Sequence, residues 1–304
     1  MSTRFKKTGG YRLGVVMLGK DLSKEFKDDV ARFEALYKMG YRAFQVLLLF
    51  CSDQYLIDLR AWADAQEEDI EISALLAFIE DGAGGSCPIS AASSKRDLAK
   101  EQVKITFTKA KLVRATGIHG PLFQGLINSH LNDIPRADQE AFLIEFIQFV
   151  DALAIAANMP VGWEVLNMHE YPAPGPTTLR RAERIFLKAG ASPLMRYLLD
   201  PCHQSQGEAS TVEAWEKYGA RASCIHLSDT GRTLLGREQA LPLELFRFLL
   251  KAQLPVTLYV EAIGRDATDF IKMALHVNDV PDLDGEDVLQ AAVVFVEDMF
   301  AKAA

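Results

Sequence analysis

Eight times along this chain a short run of β-type residues is followed by a longer stretch of helical period, and no other feature constrains the fold as much. The strand-type runs fall at 12–18, 43–50, 70–78, 116–119, 160–166, 196–200, 222–227 and 256–262. The helical stretches fall at 23–39, 54–66, 95–115, 137–157, 178–189, 211–218, 243–252 and 285–301. In the first of these, Phe26, Val30, Phe33, Leu36 and Tyr37 keep to one stripe, as an amphipathic helix requires. Gly40, Pro160, Pro193 and Pro255 mark helix-to-strand joints, where helices stop. Strand–helix alternation implies parallel sheet with crossover helices, and eight such units are what closes a (β/α)8 barrel. A doubly wound open sheet normally begins with a Gly-rich turn, whereas the first turn here, MLGKDLSKE, has only Gly19. The expected fold is therefore α/β, a TIM barrel as one domain over residues 1–304 with 1–10 as an N-terminal tail. The Gly- and Ser-rich segment 79–94 reads as a loop over the barrel mouth, with an idle surface loop as the competing reading.

Composition bounds the function. Hydrophobic residues at 49% and charged residues at 24% allow a large core and give no sign of disorder. A net charge of −8 argues against a nucleic-acid partner, which calls for a basic face. The basic N-terminus meets only the short apolar run RLGVVML, so no secretory signal is expected, and FQVLLLFC is too short to span a bilayer. The cysteines at 51, 87, 202 and 224 show no C-x-x-C spacing, and a cytoplasmic location is the simplest expectation.

The stretch VGWEVLNMHE begins as barrel core and then places a carboxylate, Glu164, where burial is costly unless something compensates it. The pattern recurs at the ends of the next strands: Asp200 in RYLLDPCH, His226 in ASCIHLSD and Glu261 in VTLYVEAIG. Strand C-termini of such a barrel converge on one site, and carboxylates clustered there repel one another without a cation. A divalent metal held by Glu164, Asp200, His226 and Glu261 is the expected cofactor. Oxygen-rich donors suit Mn²⁺, Mg²⁺ or Co²⁺ better than a thiolate zinc site does. Cys202 and Cys224 read as small buried residues, although the Cys202-His203 adjacency leaves a nucleophilic role open. Glu170, His203 and Arg232 follow the same strands; each alone reads as a solvated charge, and together they would surround whatever binds the metal. Asp229 can either orient the nearby His226 or cap the next turn.

The motifs E-x-x-N-x-x-E at 164–170, D-x-x-H at 200–203, H-x-x-x-x-x-R at 226–232 and the strand-eight Glu261 resemble those of the ketose 3-epimerases. That group, acting on D-tagatose, D-psicose or L-ribulose, belongs to the xylose-isomerase-like barrels, and Gly120-Pro121 is similar as well. The resemblance implies that Glu164, Asp200, His226 and Glu261 bind the metal, with Mn²⁺ foremost. It implies that Glu170, His203 and Arg232 hold the oxygens near C1–C3, and that Glu164 and Glu261 form the catalytic acid/base pair about C3, through a cis-enediolate. A homodimer or homotetramer and a small-molecule ketose substrate are implied in the same way. Two departures stand out. Met168-His169 occupies a place where the family often has Arg, and the loop RTLLGREQALP keeps Gly236 but has Arg237-Glu238 where a further glycine is usual.

Relatives on the same metal barrel offer other readings: a hydroxypyruvate-isomerase-like enzyme, or a lyase or dehydratase acting on a keto-sugar or keto-inositol. An abasic-site endonuclease would need more histidines than the six present and a basic groove. A non-catalytic sugar-binding barrel would not need the full ligand set. Gly231-Arg232 and Gly264-Arg265 lack the run of small residues of a phosphate cradle, so an unphosphorylated substrate is expected.

Overall fold

Apolar spacing in the first unit shows how the architecture arises. Phe26, Phe33 and Leu36 of helix α1 (Phe26–Met39) are buried, and Gly40 stops the helix in the left-handed region at φ 109°. Its N–H is donated back to the carbonyls of Leu36 and Tyr37. The stripe packs Phe33 onto Phe44 of the next strand and onto Trp62, with ring centroids 5.0 and 5.4 Å away. Burying each such ring stabilises the fold by roughly 1.5–3 kcal/mol.

The computed structural model describes residues 6–17, 22–78, 85–122, 136–167, 169, 176–237, 240–264, 267 and 282–304. Among these, the strands are β1 (Arg12–Met17), β2 (Ala43–Val46), β3 (Glu71–Leu75), β4 (Ile118–Gly120), β5 (Val161–Glu164), β6 (Met195–Leu199), β7 (Ala222–Leu227) and β8 (Thr257–Val260). After α1 come α2 (Asp53–Asp64), α3 (Ser93–Leu112), α4 (Arg136–Ala157), α5 (Leu179–Ala189), α6 (Pro201–Gly207), α7 (Thr211–Tyr218), α8 (Leu243–Ala252) and α9 (Gly285–Ala303). Each strand pairs in parallel with its sequence neighbour, and β8 pairs with β1, so the sheet closes into the expected barrel. Among the described residues no helix is long and apolar enough to cross a membrane.

Several strands are shorter than their apolar runs. The run 43–50 pairs only as far as Val46 and then turns into a 3₁₀ segment, Leu48–Phe50. The runs 70–78, 160–166 and 256–262 likewise stop at Leu75, Glu164 and Val260. Residues beyond the ladder, such as Ala77, Val165 and Leu166, stay buried through side-chain packing. An apolar run reports burial, and the paired ladder ends sooner. Gly120 is one such end: at φ 144° a Cβ there would lie 2.0 Å from the Leu76 carbonyl oxygen, so only glycine fits. The run 196–200 pairs one residue earlier, and Asp200 leaves the strand to cap α6, a helix that the sequence reading lacks. Asp-Pro at the N-cap and first helical position is the signal for it.

The expected tail is packed before residue 10: Thr8 is buried, and Gly9 lies against Leu250 and Phe300. Of the segment 79–94, residues 79–84 lie outside the described residues. The remainder is not an idle surface loop. Ser86, Cys87 and Ile89 are buried, and the Ser86 hydroxyl donates to Gln102 Oε1 of α3 at 2.5 Å.

Candidate metal centre

Barrel closure brings the strand-end residues together. Glu164 ends β5, Asp200 follows β6, His226 is the penultimate residue of β7 and Glu261 follows β8. One ligand-type atom from each lies within 4.8 Å of the other three, and all four side chains are buried.

Two of these side chains are hydrogen-bonded through one atom and not through the other. Asp200 Oδ1 accepts the Cys202 N–H at 2.8 Å and the Ser228 hydroxyl, while Oδ2 has no hydrogen-bond partner. His226 Nε2 lies 2.7 Å from Gln45 Oε1, while Nδ1 has no hydrogen-bond partner and faces Glu164 Oε1 at 3.7 Å and Glu261 Oε2 at 3.6 Å. Leaving a buried polar atom unsatisfied costs about 1–3 kcal/mol. A divalent cation takes up both lone pairs and offsets three carboxylates, so the residues fit the metal that the sequence implies.

The electrostatics point the same way. Burial pushes the Glu164 carboxyl up, but the hydrogen bond from His203 and the charges of His226 and His203 bring it below its usual range. Burial also pushes Glu261 up, and the Arg232 guanidinium followed by His226 outweighs it strongly downward. Asp200 ends above its usual range because burial dominates. Two of the three carboxyls are thus held ionised by neighbouring groups.

Arg232 spans the cluster. Its Nη1 contacts Glu261 Oε2 and lies 3.7 Å from Asp200 Oδ2, and its Nη2 is 2.7 Å from His203 Nε2. The residue takes a left-handed backbone, φ 52°, which is uncommon for a non-glycine and recurs at functional sites. His203, from α6, lies 3.4 Å from Glu164 Oε1 and is held from behind by Asn167 Nδ2 at 2.9 Å. Of the predicted substrate contacts, His203 and Arg232 therefore adjoin the cluster; Glu170 lies outside the described residues. So does Arg265, which the phosphate question raised. Cys202 and Cys224 are buried, and burial raises the Cys224 thiol well above its usual range.

Asp229 takes the second of its two predicted roles. Its carboxylate accepts the N–H groups of Thr230 (3.0 Å), Gly236 (3.0 Å) and Ala240 (3.2 Å), which pins the loop that carries Arg232. Gly236 is needed there: at φ 81°, a Cβ would sit 2.2 Å from the Phe295 ring. The residue that contacts His226 from behind is Gln45, which the sequence reading missed. Its signal was present: one amide in the otherwise apolar run FQVLLLF, on a strand buried on every side.

The closed parallel barrel with a candidate metal cluster at its C-terminal rim places the chain among the (β/α)8 barrels. The chain belongs to the Xylose isomerase-like TIM barrel family, whose model matches residues 33–272. No curated protein matches it in sequence. Among solved structures, an L-ribulose 3-epimerase superposes with a TM-score of 0.81 at 16% identity, covering 96% of this chain and 95% of that one. A D-psicose 3-epimerase from Clostridium cellulolyticum H10, solved with D-tagatose, gives 0.78 at 18% identity, covering 95% and 99%. A 3-keto-D-glucoside 4-epimerase from E. coli gives 0.74 at 14% identity, covering 95% and 99%. At these identities the likeness is one of fold.

Proposed function

We propose that the protein is an isomerase, a divalent-metal-dependent ketose 3-epimerase acting on an unphosphorylated sugar. The observation that carries this reading is the joining of two glutamates, Glu164 and Glu261, into one buried cluster flanked by Arg232 and His203. A divalent ion held by Glu164, Asp200, His226 and Glu261, with Mn²⁺ proposed ahead of Mg²⁺ or Co²⁺, supplies Lewis acidity toward a ketose carbonyl and the hydroxyl beside it.

Glu164 and Glu261 enter the site from β5 and β8, with β6 and β7 between them. One takes the C3 proton and the other returns a proton to the opposite face, so that C3 inverts through a cis-enediolate. In the reverse direction the two exchange roles. Arg232 holds Glu261 ionised, and Arg232, His203 and Glu170 are the proposed contacts of the sugar oxygens. Burial of the whole cluster keeps water from competing for the proton. The epimerase scaffolds that superpose on almost the entire chain support this substrate class.

A second reading has its own support. The loop after β7 carries Arg237-Glu238 in place of the usual glycine, and a 3-keto-glucoside epimerase shares the scaffold, so a keto-sugar isomerase or lyase on the same cluster is the alternative. NMR of the Mg²⁺-loaded protein with a panel of ketopentoses and ketohexoses in D₂O separates the two. Deuterium at C3 with a C3 epimer growing in is the expected result. Exchange at another carbon, or loss of water from the sugar, would assign the relative instead. Turnover of a ketose phosphate with none of the parent sugar would overturn the unphosphorylated substrate.

A further inference from the structure

Nothing in the four-residue motif accounts for a buried hydrogen-bonded chain behind the third ligand. Gln45 of β2 is fully buried. Its Oε1 lies 2.7 Å from His226 Nε2, and its Nε2 lies 3.2 Å from Nδ1 of His119 on β4. The barrel makes room for this arrangement: a Cβ at Gly162 would meet the His119 ring at 2.7 Å and Ser223 Oγ at 2.1 Å. The glycine of VGWE on β5 is therefore tied to the same feature.

An amide offers one accepting and one donating end, so only two orders of this chain are self-consistent. In the first, His226 donates Nε2–H to Gln45 and Gln45 donates to His119, so Nδ1, which faces Glu164 and Glu261, is the nitrogen that can turn a lone pair to a metal. In the second the amide is flipped, its NH₂ group occupies His226 Nε2, and a proton moves onto Nδ1 in the middle of the cluster. We propose that Gln45, backed by His119, is a positioning pair that locks His226 in the first order and so keeps Nδ1 available as a metal ligand. His119 is suited to accept. Burial depresses its imidazole to about 3, so it is neutral and keeps an unprotonated nitrogen. An amide at position 45 also adds no fourth negative charge beside three carboxylates. Groups behind a ligating histidine fix its tautomer and orientation, and their loss typically costs 10- to 100-fold in metal affinity.

The inference rests on the metal reading of the cluster, and its test separates the two. Mn²⁺ would be titrated, by calorimetry and by EPR, into the metal-stripped wild type, Gln45→Met and Gln45→Glu. Gln45→Met keeps the bulk and removes the amide; it is expected to bind about 10- to 100-fold more weakly, with the far-UV CD of the stripped protein unchanged. Gln45→Glu restores an acceptor for His226 and is expected to recover most of that loss. A methionine variant that binds Mn²⁺ as tightly as wild type overturns the role of Gln45 and leaves the metal site standing. A wild type that binds no divalent ion removes both. If Gln45→Met does not fold, ¹⁵N-histidine NMR of the Mg²⁺-loaded wild type decides the matter. His226 protonated at Nε2 alone supports the lock, and His226 protonated at Nδ1 overturns it.

Discussion

At the N-terminal end of the barrel, Glu71 opens β3 and is met by donors on every side. Arg12 Nη1 lies 3.1 Å from Oε2, the Thr257 hydroxyl donates to Oε2 at 2.8 Å, and Tyr259 and Thr116 donate to Oε1 at 2.7 and 3.2 Å. Ser73 in turn donates to the Tyr259 hydroxyl at 2.9 Å. At the C-terminal end, three carboxylates and an imidazole share one small volume, and Asp200 Oδ2 and His226 Nδ1 have no hydrogen-bond partner. Both ends are polar; the upper cluster is buried, and the lower network is partly open to solvent at Arg12 and Thr116. The lower one spends all its lone pairs on the protein, as a structural network must. The upper one holds some back, and that reserve is what binding and chemistry require.

The comparison breaks most visibly in turnover. Glu164→Gln and Glu261→Gln remove one proton carrier each from the upper cluster and should lower kcat for ketose epimerisation by about 10²–10⁴-fold, with folding unchanged by CD. Near-normal rates in either variant would end the two-glutamate mechanism. The next effect is thermodynamic. Mn²⁺ at a hundred times its Kd should stabilise the folded protein by about 2.7 kcal/mol in calorimetric unfolding. Asp200→Asn should lose most of that increment, because the atom left open toward the cluster no longer carries charge. A variant that keeps the full increment would show that Asp200 is not a ligand.

What was legible in the sequence depended on how local the information is. Glu164, Asp200, His226 and Glu261 could be placed because position relative to a strand end is local, and the eightfold alternation says where strand ends meet. The closed barrel was legible for the same reason. The pair Gln45 and His119 was not, since their contact joins β2 to β4 and then to β7 and exists only once the barrel has closed. Strand lengths were overestimated because Val165 and Leu166 are buried without pairing, and sequence periodicity registers burial alone. Asp229 carried two readings because an acid three residues after a ligand can turn toward it or toward its own loop. The backbone N–H groups gathered at its carboxylate decide between them.

The lower network gives the converse test. Glu71→Gln keeps the size and puts an NH₂ group among donors, which should cost about 1–3 kcal/mol in urea unfolding. Mn²⁺ affinity and kcat should stay at wild-type values. If metal binding falls along with stability, the two ends of the barrel are not the separate systems that their hydrogen bonding describes.

The smallest effect lies inside the upper end itself. Asp229 follows His226 by three residues and Gln45 touches its ring, and they hold different parts of the site: Gln45 contacts the ring, whereas Asp229 pins the loop behind Arg232. Asp229→Asn retains one accepting oxygen and sets an NH₂ group against the backbone N–H that the other oxygen had accepted. The loop should loosen by about 1 kcal/mol, and the left-handed backbone of Arg232 is what that slack reaches. A rise in KM of roughly fivefold, with kcat little changed and Mn²⁺ affinity untouched, is the expected signature. Should Mn²⁺ affinity fall as far as KM rises, Asp229 would be orienting His226 after all, and the division of labour between loop and barrel interior would not hold.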